Sequence, residues 1–527
     1  MASDGRRKWP YILAVCVIAL LAFAALLAVR ARDIKERTRL WVVEELTRRF
    51  ESHVELKSID VQVWPTAGVI GRGLAIQNRN RPDIEPLIKI EKFTFNTGLL
   101  GILRAPRHIS RIYLTNMVIT IPPKEDRIAA SAGKPFLKPG VMVDEMICDN
   151  TVLLILPKKQ GKEPLDFEIH NLILNNVGID KPFDFRGNLT NAKPIGEITT
   201  QGKLGPWNVD AAGDSPVSGA YQFSNADLDP LAGIGGTLSS LGKYSGQLNR
   251  IDVQGQTDTP NFSLDRVGSK IPLHTDFTAT VDGTDGDTYL HPVWARFGHS
   301  VFVANGSVVN VPEKHGHIIS LDVTSSKARL EDVLGLAMKS DQPFMTGPLD
   351  LKTRLLINPG KMKTLQRLNL DGDFGLHDAN FTDPKVREQL ESLSRHGLGK
   401  PSDQNAGSAT SEMRGKYHLE HGVIVFNDLE FSVAGATVVL NGPYDLEKHE
   451  MDFHGELRLQ AAMSQTIGGV KSIFLKPFDP LYKKEGAGTV LPLSITGPSD
   501  HPTMATSVFH KSIKKQMGSL MPEAKLK

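Results

Sequence analysis

The stretch Leu349-Asp350-Leu351-Lys352-Thr353-Arg354-Leu355-Leu356-Ile357-Asn358-Pro359-Gly360 decides the reading of the fold. Apolar or β-branched residues take the odd positions and charged ones the even positions through Arg354. This period of two gives a strand one apolar and one polar face. Asn358-Pro359-Gly360 ends the strand, because proline fixes φ and glycine admits the backbone that a turn needs. After a short gap Leu368, Leu370, Gly372, Phe374 and Leu376 alternate again.

The pattern extends in both directions. Upstream, Ile59, Val61 and Val63 alternate with Asp60 and Gln62, Ile88 and Ile90 lead to Phe93 and Phe95, and Ile319, Leu321 and Val323 follow His317. Downstream, Met451, Phe453, Gly455, Leu457 and Leu459 share one face. Asn305-Gly306, Asp371-Gly372 and Asn441-Gly442-Pro443 are turn markers that favour antiparallel neighbours over helical crossovers. The fold class expected is mainly β: a long antiparallel, taco-like or solenoid-like curved sheet with a few short helices. Two of the helices are expected over Ser326 to Met338 and, capped by Asp383-Pro384, through Val386, Leu390 and Leu393. Residues 124–139 and 397–411 read as loops.

Composition narrows the function. The chain has 527 residues, 40% hydrophobic and 23% charged, which is too apolar for disorder. A net charge of +2 excludes the strongly basic surface of a dedicated nucleic-acid binder. The two cysteines, Cys16 and Cys148, cannot build a disulfide framework or a cysteine-rich zinc site.

Trp9 to Val29 is a run of 21 residues without a charge. As a helix it spans roughly 31 Å, about the hydrocarbon thickness of a bilayer. Trp9, Tyr11, Leu20, Phe23 and Val29 mark this expected anchor. Arg6, Arg7 and Lys8, with Ala22-Phe23-Ala24, would also fit a signal peptide, but the run is too long and helix formers continue past it. An amphipathic stalk is expected from Arg30 to Phe50, with Leu40, Val43, Leu46, Thr47 and Phe50 on one face. Basic residues after the run outnumber those before it, whereas long domains translocate largely regardless of charge, so the pattern leaves orientation open. Val508 to Leu520 forms a second, basic amphipathic stretch.

Reactive motifs fail on spacing or context. His449-Glu450 and His454 lie five residues apart on an alternating segment, not on a zinc-protease helix. His315-Gly316-His317 lacks a third ligand and fits a hairpin tip. Ile70-Gly71-Arg72-Gly73 reads as a β-turn or bulge rather than a phosphate loop, and Asp282 to Asp287 as a solvated hairpin without the glutamate of a calcium loop. No nucleophile elbow is present. The chain is therefore expected to be no enzyme and to need no cofactor. An envelope hydrolase with unrecognised residues ranks last among the readings. A sheet with one apolar face must cover it, and two solutions stand: a dry sandwich or solenoid, or an incompletely closed channel holding acyl chains.

Val490-Leu491-Pro492-Leu493-Ser494-Ile495-Thr496-Gly497, followed by Asp500-His501-Pro502, resembles the terminal strand signature of the bacterial AsmA family. Leu440-Asn441-Gly442-Pro443-Tyr444-Asp445-Leu446 and Met451-Asp452-Phe453-His454-Gly455-Glu456-Leu457 are similar to its paired strands, and Ala328-Arg329-Leu330-Glu331-Asp332-Val333-Leu334 to its short helix. Pro498 departs from the pattern, standing where Thr or Ser is common. The likeness covers the N-terminal membrane helix and residues 326–502; residues 123–323 match only in strand character. It implies a single-pass protein of the bacterial inner membrane with its body in the periplasm, a contribution to outer-membrane biogenesis, and phospholipid binding or transfer along a hydrophobic groove like that of chorein-type bridge proteins.

The organisation expected is an anchor and stalk over residues 1–52, a groove-like β region over 53–325, an AsmA-like β region over 326–503 and a basic tail over 504–527. Val61, Val63, Ile88, Ile90, Phe93 and Phe95 are the expected lipid-groove lining, with the inner membrane, phospholipid and an envelope-assembly protein as partners and no nucleic acid. The alternative is a structural or regulatory envelope-assembly partner with a closed β core. A sheet of ~25 strands extends about 120 Å if fully open, so a complete bridge between membranes calls for a partner.

Overall fold

A computed structural model describes residues 35–48, 50, 52–62, 67–78, 85–97, 107–121, 141–156, 164–178, 180–208, 212–231, 233–264, 269–283, 286–311, 316–337, 343–360, 362–403, 410–462, 465, 488–499 and 501–506. The expected anchor, Val63, His315 and the basic stretch after Val508 lie outside them. Among the described residues no helix is long and apolar enough to cross a membrane. The chain is mainly β and mostly antiparallel, with 25 strands and a few short helices among the described residues. It divides into two compact units, residues 1–226 with 243–251, and residues 227–242 with 252–527. The expected junction at 325–326 falls inside the strand Gly316–Arg329.

The first unit begins with helix α1 (residues 35–48) and continues through β1 (Val54–Gln62), β2 (Ala67–Ile76), β3 (Ile88–Thr97), β4 (Arg107–Ile121), β5 (Val141–Ile155), β6 (Leu165–Val177), β7 (Phe183–Asn191), β8 (Ile195–Leu204) and β9 (Pro216–Asp227). From β1 to β8 each strand pairs with the next. One pairing corrects the antiparallel expectation: β4 and β5 run parallel, Ile112 opposite Met146 and Val118 opposite Val152. A parallel pair needs a crossover that returns the chain to the same end, and residues 122–140 supply its length.

The strands of this unit change phase together. Buried or core-packed residues recur two apart, then three apart once: Leu56 then Ile59 on β1, Ile90 then Phe93 on β3, Leu114 then Met117 on β4, Cys148 then Thr151 on β5. The residues skipped face solvent in register with one another, and three have left-handed backbone: Gly73 (φ 67°), Asn116 (φ 52°) and Asn150 (φ 57°). Each acts like a bulge, turning one residue outward and bending its strand while the apolar set stays on the same face. A second such line runs through Asp144 and Asn176 (φ 58°), where Val143 and Met146, and likewise Leu174 and Val177, keep one face.

In the second unit the strands from Ile271–Val281 to Thr503–Thr506 form an antiparallel succession, interrupted by helices α2 (Leu330–Ala337), α3 (Thr364–Arg367) and α4 (Pro384–Gly397). The cap expected at α4 forms, with Asp383 accepting from the Lys385 amide at 2.7 Å. The helix expected from Ser326 starts at Leu330 instead. Ala328 and Arg329 are held as strand by pairing with Leu349 and Pro348, and the Leu330 amide donates to Gly347 O at 3.0 Å.

Candidate functional site

The inner face of the first unit is a packed core. Ile90 (7% exposed) and Phe93 (5% exposed) are buried in it, while Ile88 and Phe95 are half-buried against it. Val61, opposite Val69, is half-buried on β1. Helix α1 covers this face with Val42, Val43, Leu46 and Phe50. Leu40 and Thr47, expected on the packing face, are exposed, because the stripe centred on Val43, Leu46 and Phe50 turns them toward solvent. Polar ties hold the helix down: Lys35 Nζ bonds Asp60 at 2.7 Å and Arg39 donates to Leu56 O at 3.2 Å. The Lys35 ammonium holds the Asp60 carboxyl below the usual range. Of the six expected lining residues, the structure brings Ile88, Ile90, Phe93 and Phe95 together in the cluster on which α1 packs, Ile90 and Phe93 buried in it and Ile88 and Phe95 half-buried against it.

The inner face of the second unit is different. Phe374, Tyr417 and Phe426 are half-buried and Phe453 is 9% exposed; the first three lie on successive strands and Phe453 one strand beyond Ala436–Asp445, with ring centroids 6.3 Å (Phe374 to Tyr417), 6.4 Å (Phe374 to Phe426) and 6.0 Å (Phe426 to Phe453) apart. Among the described residues, helices pack beside this row. Leu330 and Val333 of α2 pack on Leu349, Leu376 and Ala379, and Leu390 and Leu393 of α4 on Val433, Ala436 and Leu459.

Glycine lowers the floor of this face. Tyr417 stands opposite Gly372, Phe374 opposite Gly415 and Phe426 opposite Gly442. A Cβ on Gly372 would come within 2.9 Å of the Tyr417 hydroxyl, and one on Gly415 within 3.4 Å of the Phe374 ring. Without that carbon the rings lie against the neighbouring strand instead of standing away from it, which leaves a low aromatic surface. Gly71 with Phe93 and Gly202 with Phe185 repeat the arrangement in the first unit.

Hydroxyls on the same faces are turned back into the sheet. Thr353 donates to Asp371 O at 3.3 Å, Ser325 to Val301 O at 2.6 Å, Thr200 to Ala220 O at 3.1 Å and Ser240 to Gln256 O at 3.0 Å. The charged groups occupy the opposite face in cross-strand pairs. Arg354 bonds Asp322 at 3.1 Å, His418 Nδ1 bonds Asp371 at 2.6 Å, and Arg414 bonds Glu430 at 2.8 Å. The bond to Asp371 holds the His418 imidazole above its ordinary pKa.

The reactive candidates resolve into local structure. His449 (φ 57°) sits in the turn before the strand Glu450–Leu459, and His454 bonds its neighbour Asp452 at 2.7 Å. Asp282 and Asp287 close a hairpin by a 2.8 Å main-chain bond. Among the described residues no three metal-ligating side chains gather. Cys148 is buried, and desolvation pushes its thiol up to about 11. What sequence reasoning missed is the aromatic row Tyr417–Phe374–Phe426–Phe453; glycines alternating into apolar faces, at 372, 415 and 442, were its signal.

The geometry defines a β protein with a polar outer face and, in the second unit, an inner apolar face whose rings at Phe374, Tyr417 and Phe426 stay half-buried among the described residues. Compared with family models, curated proteins and solved structures, the chain matches none.

Proposed function

We propose that this protein binds the acyl chains of phospholipid on the inner face of its second unit and contributes in this way to assembly of the bacterial envelope. The half-exposed row of Phe374, Tyr417 and Phe426, lowered over glycine, carries the reading. A surface of rings is worth about 0.8 kcal/mol for each methylene it fully covers. Its contacts are nondirectional, so a tail can move along it while remaining shielded. In this reading residues 9–29 anchor the chain in the inner membrane, the body lies in the periplasm, and the sheet curves into a groove; the AsmA-like motifs support these parts.

The competing reading, a structural or regulatory envelope partner with a closed core, draws on the packing of α1 over the first unit. Phospholipid extraction separates the two. The full chain, purified and exchanged into amphipol, is expected to retain phospholipid at close to stoichiometric amounts and to speed lipid exchange between liposomes. Lipid-free protein that leaves exchange at its background rate would favour the closed-core partner.

A further inference from the structure

Helix α1 has a second apolar side, turned away from the sheet it covers. Its packing side is fixed by Val42, Val43 and Leu46 against the core of the first unit, by Lys35 on Asp60 and by Arg39 on Leu56 O. Held in this way, the helix cannot turn Leu40 (57% exposed) and Trp41 (64% exposed) inward. Arg37 precedes them by three and four residues, so it shares their side of the helix; it is exposed and among the described residues has no carboxylate partner. Glu44 and Arg48 complete this side, Arg48 paired with Glu45. What covers the apolar pair follows from the chain itself. The uncharged run ends at Val29 and α1 begins at Lys35, which puts the helix start within about 22 Å of the run's end by any path. A bilayer spanned by that run is therefore the apolar surface held at the highest effective concentration. Arg30 and Arg32 occur between the two in sequence and add to Arg37 the positive charge that anionic headgroups attract. Tryptophan suits such a boundary, because its ring is apolar and its N–H needs a polar partner.

We propose that α1 lies on the surface of an anionic phospholipid bilayer, with Leu40 and Trp41 entering at headgroup level and Arg37 meeting lipid phosphate. This inference rests on reading residues 9–29 as a membrane anchor and is independent of the acyl-binding face. The helix then serves two apolar surfaces at once, the sheet on one side and the membrane on the other. It seats the first unit against the bilayer instead of leaving it on a free tether.

The test places an environment-sensitive nitrobenzoxadiazole label on Glu44→Cys in the full chain with Cys16→Ser, which keeps Leu40 and Trp41 beside the label. The chain is reconstituted into phosphatidylcholine vesicles with or without phosphatidylglycerol, and some of the lipid carries a nitroxide near the headgroup end of its acyl chain. In vesicles with phosphatidylglycerol the label is expected to emit at a blue-shifted wavelength and to be quenched by the nitroxide. Leu40→Gln combined with Trp41→Gln should return the emission to its aqueous position and abolish the quenching. Arg37→Gln should lower the ratio of docked to undocked helix roughly fivefold when phosphatidylglycerol is present and leave it unchanged in phosphatidylcholine alone. Slow labelling of Cys148 in each variant would show that the core under α1 is intact. Aqueous emission from the natural chain in floated vesicles would overturn the inference and leave the anchor standing, and so would a blue shift without quenching, which is the mark of a second copy on this face. Quenching that ignores either the double substitution or phosphatidylglycerol would overturn it as well. A chain that does not float with vesicles of either kind would overturn the anchor reading and this inference with it.

Discussion

Asn150 donates from its side-chain amide to the side-chain oxygen of Asn116 at 3.1 Å, and both residues have left-handed backbone, at φ 57° and 52°. Asn116 in turn bonds Glu91 on the next strand. This outward polar line tracks the phase change that lets β3, β4 and β5 bend while their apolar residues stay on one side. Asparagine tolerates left-handed backbone through local hydrogen bonding, whereas a β-branched residue does not. Asn116→Val is therefore expected to lower stability by about 1–2 kcal/mol, and Asn116→Gly by much less. Urea unfolding of the full chain, followed at the first unit, measures the difference.

Gly71 lies beneath the Phe93 ring, which a Cβ would enter at 1.9 Å. Gly71→Ala forces the ring into a core already filled by α1, and overpacking of this kind costs about 1–3 kcal/mol. Pairing the substitution with Phe93→Leu should recover part of the loss, because the obstruction is the ring. A double-mutant cycle in denaturant would read the coupling, and additivity would mean that the ring is not what the new carbon meets.

His418 carries the clearest titration on the outer face. Its pKa is raised, first by the hydrogen bond to Asp371 and against a smaller desolvation effect. The stabilisation is fully present below the unfolded pKa of about 6.5. It is lost as pH rises through the higher folded value. The pair is exposed enough for solvent to screen it, so the effect on overall stability is small. Histidine resonances should show His418 titrating above an ordinary histidine, and Asp371→Asn should bring it down.

Cys148 offers a reporter of the first unit. The thiol is 2% exposed and its pKa stands at about 11, so thiolate is scarce at neutral pH. In a Cys16→Ser background, labelling by an aromatic disulfide reagent at pH 7.5 is expected to follow opening of the core and to accelerate with denaturant. Fast labelling in native buffer would mean that the face under α1 opens freely.

Alternation made the β class legible, since every strand with one polar face wrote its period into the chain, from Ile59 to Leu459. The cap at Asp383-Pro384 was equally plain, because it is local chemistry. Two features were not. Parallel pairing of β4 with β5 depends on where a long connection returns, which no local spacing records. The phase change was written as the three-residue step from Ile90 to Phe93, yet period two alone does not show which face follows such a step. Alternation put Ile88, Ile90, Phe93 and Phe95 on apolar positions, but whether a helix packs on such a face is a tertiary matter, and around Phe93 α1 does.

Phe426 joins the aromatic row at its middle, between Phe374 and Phe453. A benzophenone side chain introduced there in the full chain, and irradiated in bacterial membranes, reads directly what touches the face. Placed at Phe426 it is expected to yield phospholipid adducts identified by mass spectrometry, while the same group at Asn427, which faces outward, yields none. Adducts absent from Phe426, or equally abundant at both positions, would contradict an acyl-binding inner surface.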